Sequence, residues 1–219
     1  MLTRVVEALC TGQPAPFRGE ELSAFVKSPA SGPVRIIREG LEGDVRVDRK
    51  NHGGVHMAVH LYPRSHRAFW RKTIGASDLL DDPGAFGTNI AIDGLDENDV
   101  MLGDRFRLGT ALLEISQPRM PCWKIEHRFG HKGMVAAIIQ TGRCGWYFRV
   151  IEEGIAKAGD MLERVETNRT DWTLAEVFGE LVNPKEATTP ERMKAMAGCE
   201  LLSPVWRDGA QKKAEAMGA

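Results

Sequence analysis

Cys122 has the most chemically suggestive surroundings in the chain. It lies in the run SQPRMPCWKI, residues 116–125, directly after Pro121 and three residues after Arg119. Pro121 suits the first position of a helix, where its missing N–H has no intrahelical partner to lose. Cys122 would then sit in the first turn of PCWKIEHRF. Unpaired N–H groups and the positive end of the helix dipole favour a thiolate there, and Arg119 adds positive potential. A thiolate in that setting is a soft metal ligand and also a nucleophile. The alternative is a buried, unreactive thiol, the reading that suits Cys10, Cys144 and Cys199 better.

A second polar segment, residues 40–63, reads GLEGDVRVDRKNHGGVHMAVHLYP. Asp44, Arg46, Asp48, Arg49, Lys50, Asn51 and His52 form a dense run. Backbone N–H groups near Gly53 and Gly54, with Arg46 or Lys50 beside them, could hold a phosphate; a solvated charged loop would read the same way. His52, His56 and His60 are spaced four apart, which on a helix would align them. Gly53-Gly54 and Pro63 disfavour a helix, and the alternation of residues 55–62 predicts a strand. On a strand His56 and His60 would lie ~13 Å apart, too far to share one zinc ion. Thr88 and Asn89, after Gly87, could bond a polar ligand or cap a turn. Arg143, next to Gly142, sits where a helix C-terminus favours a cation whatever its function.

These residues need a scaffold, and 219 residues supply one sizeable core without disulfides. The apolar share of 42% and charged share of 27% are those of a soluble globular chain. A net charge of −1 argues against a nucleic-acid or anionic-membrane partner. No apolar run reaches the ~20 residues of a membrane span, and no signal peptide is evident, so a cytoplasmic protein with reduced thiols is expected.

Gly-Asp pairs punctuate LEGDVRV, MLGDRFRLG and KAGDMLERV, each predicted to feed a half-buried strand. RFRL and ALLEIS predict a hairpin across Gly109-Thr110. Strands are also predicted at 34–37, 88–92 and 145–151. Together they suggest a barrel or sandwich. Short helices are predicted at 65–73, with Ser65 as N-cap, and at 132–142, stopped by Gly142. From about residue 167 the pattern becomes helical, with Thr170 or Asp171 capping the first of three helices and Pro190 opening the second.

In order and spacing, GLEGD and NHGG, then AFGTN, LGDRFRLG, ISQPRMPC and TGRCGWYFRVIEEGIAKAGDMLERV resemble the MOSC family, the domain at the C-terminus of molybdenum-cofactor sulfurases. The tail resembles the three-helix extension of its YiiM-like members. The resemblance implies a mainly β, α+β fold: a MOSC-type β-barrel with short helices over residues 1–167, and a C-terminal three-helix extension over 168–219. It implies a bound molybdenum cofactor, a pterin dithiolene with a terminal phosphate, with Cys122 as the molybdenum ligand by motif match. Arg46, Asp48, His52, Gly53, Gly54, Thr88, Asn89 and Arg119 become candidates for cofactor contact. His52 could also relay a proton, since its reference pKa is ~6.5. Pyridoxal phosphate is not expected. Thr88 departs from the pattern, because family members often carry a carboxylate there.

The activity implied is detoxifying reduction of N-hydroxylated compounds, such as 6-hydroxylaminopurine, to amines. The chain has neither CxxC-type iron–sulfur ligands nor a GxGxxG fingerprint, so a separate electron-donor protein is expected. No nucleic-acid or membrane partner is expected, and the chain would act as a monomer or homodimer. Two rivals use the same cysteine: a non-catalytic cofactor-binding or persulfide sulfur-carrier protein, and a cysteine hydrolase with a histidine base.

Overall fold

Short apolar runs cut by glycine turns leave room mostly for brief strands, which gain stability only by pairing widely. In the computed structural model, which describes residues 2–48, 53–167 and 169–218, the elements are, in chain order, β1 (Thr3–Val5), β2 (Ala8–Gly12), β3 (Ala15–Arg18), β4 (Glu21–Ser23), β5 (Lys27–Pro29), β6 (Val34–Ile37), β7 (Gly40–Leu41), β8 (Val59–Pro63), α1 (Arg67–Ile74), β9 (Ile90–Ile92), β10 (Arg105–Leu108), β11 (Ala111–Pro118), α2 (Trp123–Phe129), α3 (Met134–Thr141), β12 (Trp146–Glu152), β13 (Gly154–Ala156), β14 (Met161–Glu166), α4 (Leu174–Val182), α5 (Pro190–Gly198) and α6 (Pro204–Ala216).

Nine strands form one sheet in the order β1-β14-β10-β11-β12-β8-β9-β2-β5. The sheet is antiparallel except where β8 runs parallel to β9. β1 and β2 are two parts of one nearly continuous stretch: the first pairs with β14 and the second with β9. Between them Val6 N–H donates to Asp160 O and Glu7 N–H to Ala91 O, both at 2.9 Å. Consecutive amides thus reach opposite ends of the sheet, which curls into a half-barrel. Curling in this way hides edges that would otherwise invite aggregation. The fold is therefore the mixed α+β, barrel-like architecture expected from the sequence.

The core holds Leu9, Ile36, Leu61, Ile90, Ile92, Phe106, Trp146 and Phe148, and the tail's Phe178, Met193 and Trp206 join the same cluster. Thr173 caps α4 in a reciprocal capping box with Glu176, and its backbone bridges to Met101. The cap is thus neither Thr170 nor Asp171; Thr173 is the residue with glutamate three positions on. Pro190 does open α5.

The RFRL–ALLEIS hairpin forms as predicted, with Leu108 opposite Ala111. Three other local expectations are corrected. Residues 55–62 are not one strand: Val55–Met57 form a 3-10 turn and the strand begins at Val59. Gly54 adopts φ +92, and its carbonyl accepts the Met57 N–H, which winds the chain before it can pair. Ser65 does not cap α1; it lies in a 3-10 turn, Arg64–His66, that runs into the helix. After Gly43-Asp44 no strand follows. Val45 and Val47 are exposed, because the side chains of Asp44 and Arg46 tie this segment down instead of a β-ladder.

One buried carboxylate joins barrel and tail. Glu114, 2% exposed, receives Arg105, Arg149 and Arg169, and Arg149 also donates to the Leu201 carbonyl. Removing one partner of a buried ion cluster leaves uncompensated charge. Glu114→Ala is expected to lower unfolding free energy by about 3 kcal/mol or more in a urea titration; a loss under about 1 kcal/mol would show that the arginines find solvent or Glu166 instead.

Candidate active site

β11 is buried along its whole length and carries an irregularity between Ile115 and Gln117. There Ser116 Oγ lies 2.6 Å from His56 O and 3.0 Å from Tyr147 O, and can donate to either. β11 ends at Pro118, and Arg119 N–H then donates to Gly145 O at 2.9 Å. Pro121 is buried, and Cys122 is the N-cap of α2, with extended φ −135 and ψ 165. The helix therefore begins two residues later than expected. Pro121 precedes the cap, and Cys122 stands at the helix mouth, half-buried, with its backbone still strand-like.

Cys122 lines an open cleft that encloses about 620 Å³, solvent-open space at its mouth included. Four further predicted residues line it: Arg46, Asp48, Asn89 and Arg119. So do Lys27, His60, Lys124 and Tyr147, which sequence reasoning did not place there. Lys27, Arg46, Arg119 and Lys124 make the cleft cationic, against Asp44, which backs Lys27, and Asp48 at its wall. A cleft lined by one sign of charge concentrates ligands of the other.

Each cation is held differently. Lys27 Nζ meets Asp44 Oδ2 at 2.6 Å. The same carboxylate accepts Gly12 N–H at 2.8 Å and Asn89 Nδ2 at 2.9 Å. Burial pulls the Lys27 ammonium below its usual range, and Asp44 opposes that fall. Arg46 donates to the carbonyls of Glu39 and Ala58. Gly40, at φ +136, leaves the space it needs: a Cβ there would lie 2.6 Å from the guanidinium and 2.5 Å from Ala58 O. Arg119 is 4% exposed, and its Nη1 has no hydrogen-bond partner among the described residues. Such a buried donor costs about 1–3 kcal/mol if it stays unmet.

The other predicted residues lie apart from the cleft or beyond view. Thr88, 2% exposed, faces backbone: its Oγ1 accepts Tyr62 N–H at 2.9 Å and can donate to His60 O or Ile90 O, joining β8 to the start of β9. Gly53 and Gly54 line a neighbouring depression, which shares Val45 and Arg46 with the cleft. The proton-relay expectation at His52 falls within residues 49–52, outside the described residues.

His60 sits in mid-β8 opposite Tyr147. Its Nδ1 is 3.1 Å from Gly87 O, and since a carbonyl only accepts, Nδ1 carries the proton. Burial, then the charge of Arg119, hold its pKa well below 6.5, so the ring is neutral at pH 7. Among the described residues no group of three or more His, Cys, Asp or Glu is placed to hold a metal unaided. A metal at Cys122 would need further donors from a cofactor. A soft sulfur donor and a buried guanidinium with one N–H group unmet among the described residues, in one cationic cleft, fit an anionic metal–dithiolene group.

Residues 48–163 match the MOSC domain, and the chain belongs to that family. It is similar to the crystal structure of YiiM from Geobacillus stearothermophilus, with TM-score 0.80 and 31% identity over 96% of this chain and 99% of that one. It is 38% identical to the uncharacterised protein YflK of Bacillus subtilis over 191 residues, 87% of this chain and 84% of YflK. It is also 36% identical over 160 residues to a Gibberella moniliformis protein named "Reductase"; the match covers 73% of this chain but 28% of that longer protein. Among the described residues no helix is long and apolar enough to cross a membrane.

The neutral His60 sets a pH dependence. Because its folded pKa is lowered, the unfolded chain binds a proton below about pH 6.5 that the folded chain refuses. Stability is therefore lost as pH falls through that value, at up to ~1.4 kcal/mol per pH unit. Urea unfolding at pH 7.5 and 5.5 should show a larger loss in wild type than in His60→Gln; equal losses would mean that His60 is protonated in the folded state.

Proposed function

We propose that this chain is a molybdenum-cofactor-dependent reductase that converts N-hydroxylated compounds, such as 6-hydroxylaminopurine, to the amine. The observation that carries the reading is the meeting in one cationic cleft of Cys122 with Arg119, a buried guanidinium whose Nη1 has no hydrogen-bond partner among the described residues. Membership of the MOSC family and the relative named reductase support it. When bound, the cofactor supplies the two-electron chemistry that cleaves the N–O bond; the protein supplies ligand, orientation and access.

Cys122 Sγ serves as the thiolate donor to the metal. Arg119 and Arg46 pair with the cofactor's anionic groups, and Asn89 keeps Asp44 and Lys27 in register. Reduction of a hydroxylamine to amine and water consumes two electrons and two protons. Lys27, whose ammonium burial makes more acidic than usual, is suited to deliver one proton from Nζ. The electrons come from a separate donor protein.

The test is elemental analysis and turnover after expression in a host that makes the cofactor. Wild type is expected to hold near-stoichiometric molybdenum and to reduce 6-hydroxylaminopurine with an artificial electron donor. Cys122→Ala is expected to lose the metal and at least a hundredfold in kcat while keeping its unfolding transition. Full metal and activity in that variant would remove Cys122 from the site. Loaded wild type without turnover would favour a cofactor carrier.

A further inference from the structure

The cleft that Cys122 lines carries a second feature. His60 is 2% exposed, and its ring lines the cleft beside Arg119 and Tyr147, with the Tyr147 ring centroid 4.9 Å away. Its Nδ1–H is spent on Gly87 O. That leaves Nε2 as a bare acceptor, and among the described residues Nε2 finds no donor. Arg119 presents the opposite case in the same cleft: a buried donor, Nη1, without an acceptor.

A glycine lies against Nε2. Gly145 adopts φ +70 next to it, and a Cβ at that position would lie 3.3 Å from Nε2 and 2.5 Å from Leu61 O. The imidazole cannot turn its need inward without giving up Gly87. An apolar ring would fill this place without leaving a buried lone pair unmet, and cores choose such residues by default. An unmet acceptor and an unmet donor lining one cleft match a ligand edge that offers one of each.

We propose that His60 is a ligand-orienting residue whose Nε2 accepts a ring N–H, while Arg119 Nη1 meets the acceptor of the same edge, so that the cleft selects the lactam or amidine edge of a nitrogen heterocycle. This rests on the reductase reading for the identity of the heterocycle. Two ligands of that site carry such an edge: the pterin of the cofactor and a purine substrate. A protonated imidazole would have no lone pair to offer, so the burial that keeps His60 neutral also keeps it able to accept.

The experiment compares wild type, His60→Phe and His60→Gln, full-length and expressed in a cofactor-making host. His60→Leu stands in should the phenyl ring not fit beside Gly145. Pterin released per chain is measured by fluorescence after oxidation, independently of metal and of turnover. Equilibrium binding of 6-hydroxylaminopurine and of a ring-N-methylated analogue is measured on the loaded protein. If the edge read is the cofactor's, pterin content falls about tenfold in His60→Phe, the worth of one buried hydrogen bond. If it is the substrate's, pterin is retained, purine affinity falls about tenfold, and discrimination against the N-methylated analogue disappears. In either case His60→Gln, which can still present an acceptor, recovers most of the loss, which a purely structural role would not show. Unchanged pterin content and unchanged purine affinity in His60→Phe overturn the inference alone. Wild type that holds neither pterin nor purine overturns it together with the reductase reading.

Discussion

The cleft depends on one buried carboxylate. Asp44 accepts from the Gly12 amide, from Lys27 Nζ and from Asn89 Nδ2, and Asn89 returns its own Oδ1 to the His60 amide. Five positions far apart in sequence are thereby fixed around a point that is 1% exposed at the Asp44 side chain. Without that carboxylate, a lysine in the wall of a buried cleft would be an unpaired charge, which a folded chain tolerates poorly. With it, Lys27 can face a ligand and remain charged. Arg46, two residues on, is tied by backbone carbonyls. The segment that carries both is therefore shaped by side-chain bonds rather than by strand pairing.

Around this knot the cleft keeps several polar groups incompletely satisfied. The protein anchors Lys27 and Arg46 from within, but leaves Arg119 Nη1 and His60 Nε2 unmet among the described residues. Other buried polar atoms are also left over outside the cleft, among them Asp104 Oδ1, Trp146 Nε1 and Ser203 Oγ. Buried polar groups are normally paired, and what sets Arg119 Nη1 and His60 Nε2 apart is that both residues line the cleft of Cys122. The proposed cofactor reading and the reading of His60 draw on the same physical fact from its two sides, a donor and an acceptor.

Much of this was legible in the sequence wherever local rules decide. The Gly109-Thr110 hairpin, the Gly142 stop of α3 and Pro190 at the start of α5 follow from turn and cap chemistry acting over a few residues. Cys122, Arg119, Arg46, Asp48 and Asn89 were recognisable as site candidates, and they do meet. Lys27 and His60 were not, because what brings them to the cleft is pairing between strands distant in the chain; Lys124 reaches it from the first turn of α2, two residues after Cys122. His60 in particular looked like one of an evenly spaced trio of histidines. The 3-10 turn at 55–57 separates it from His56, and only the register of β8 against β12 places it beside Tyr147. For Thr88 the sequence left a ligand contact and a local backbone role open, and its hydroxyl bonds neighbouring backbone, a use that polar residues at strand ends often have.

The most direct test of the proposed centre is X-ray absorption at the molybdenum edge, comparing wild-type protein from a cofactor-making host with Cys122→Ser. The expected result is a sulfur shell that loses one scatterer, replaced by a lighter oxygen or nitrogen neighbour, in the variant. Identical sulfur shells in the two proteins would contradict a Cys122–molybdenum bond and leave the cationic cleft without its proposed metal ligand.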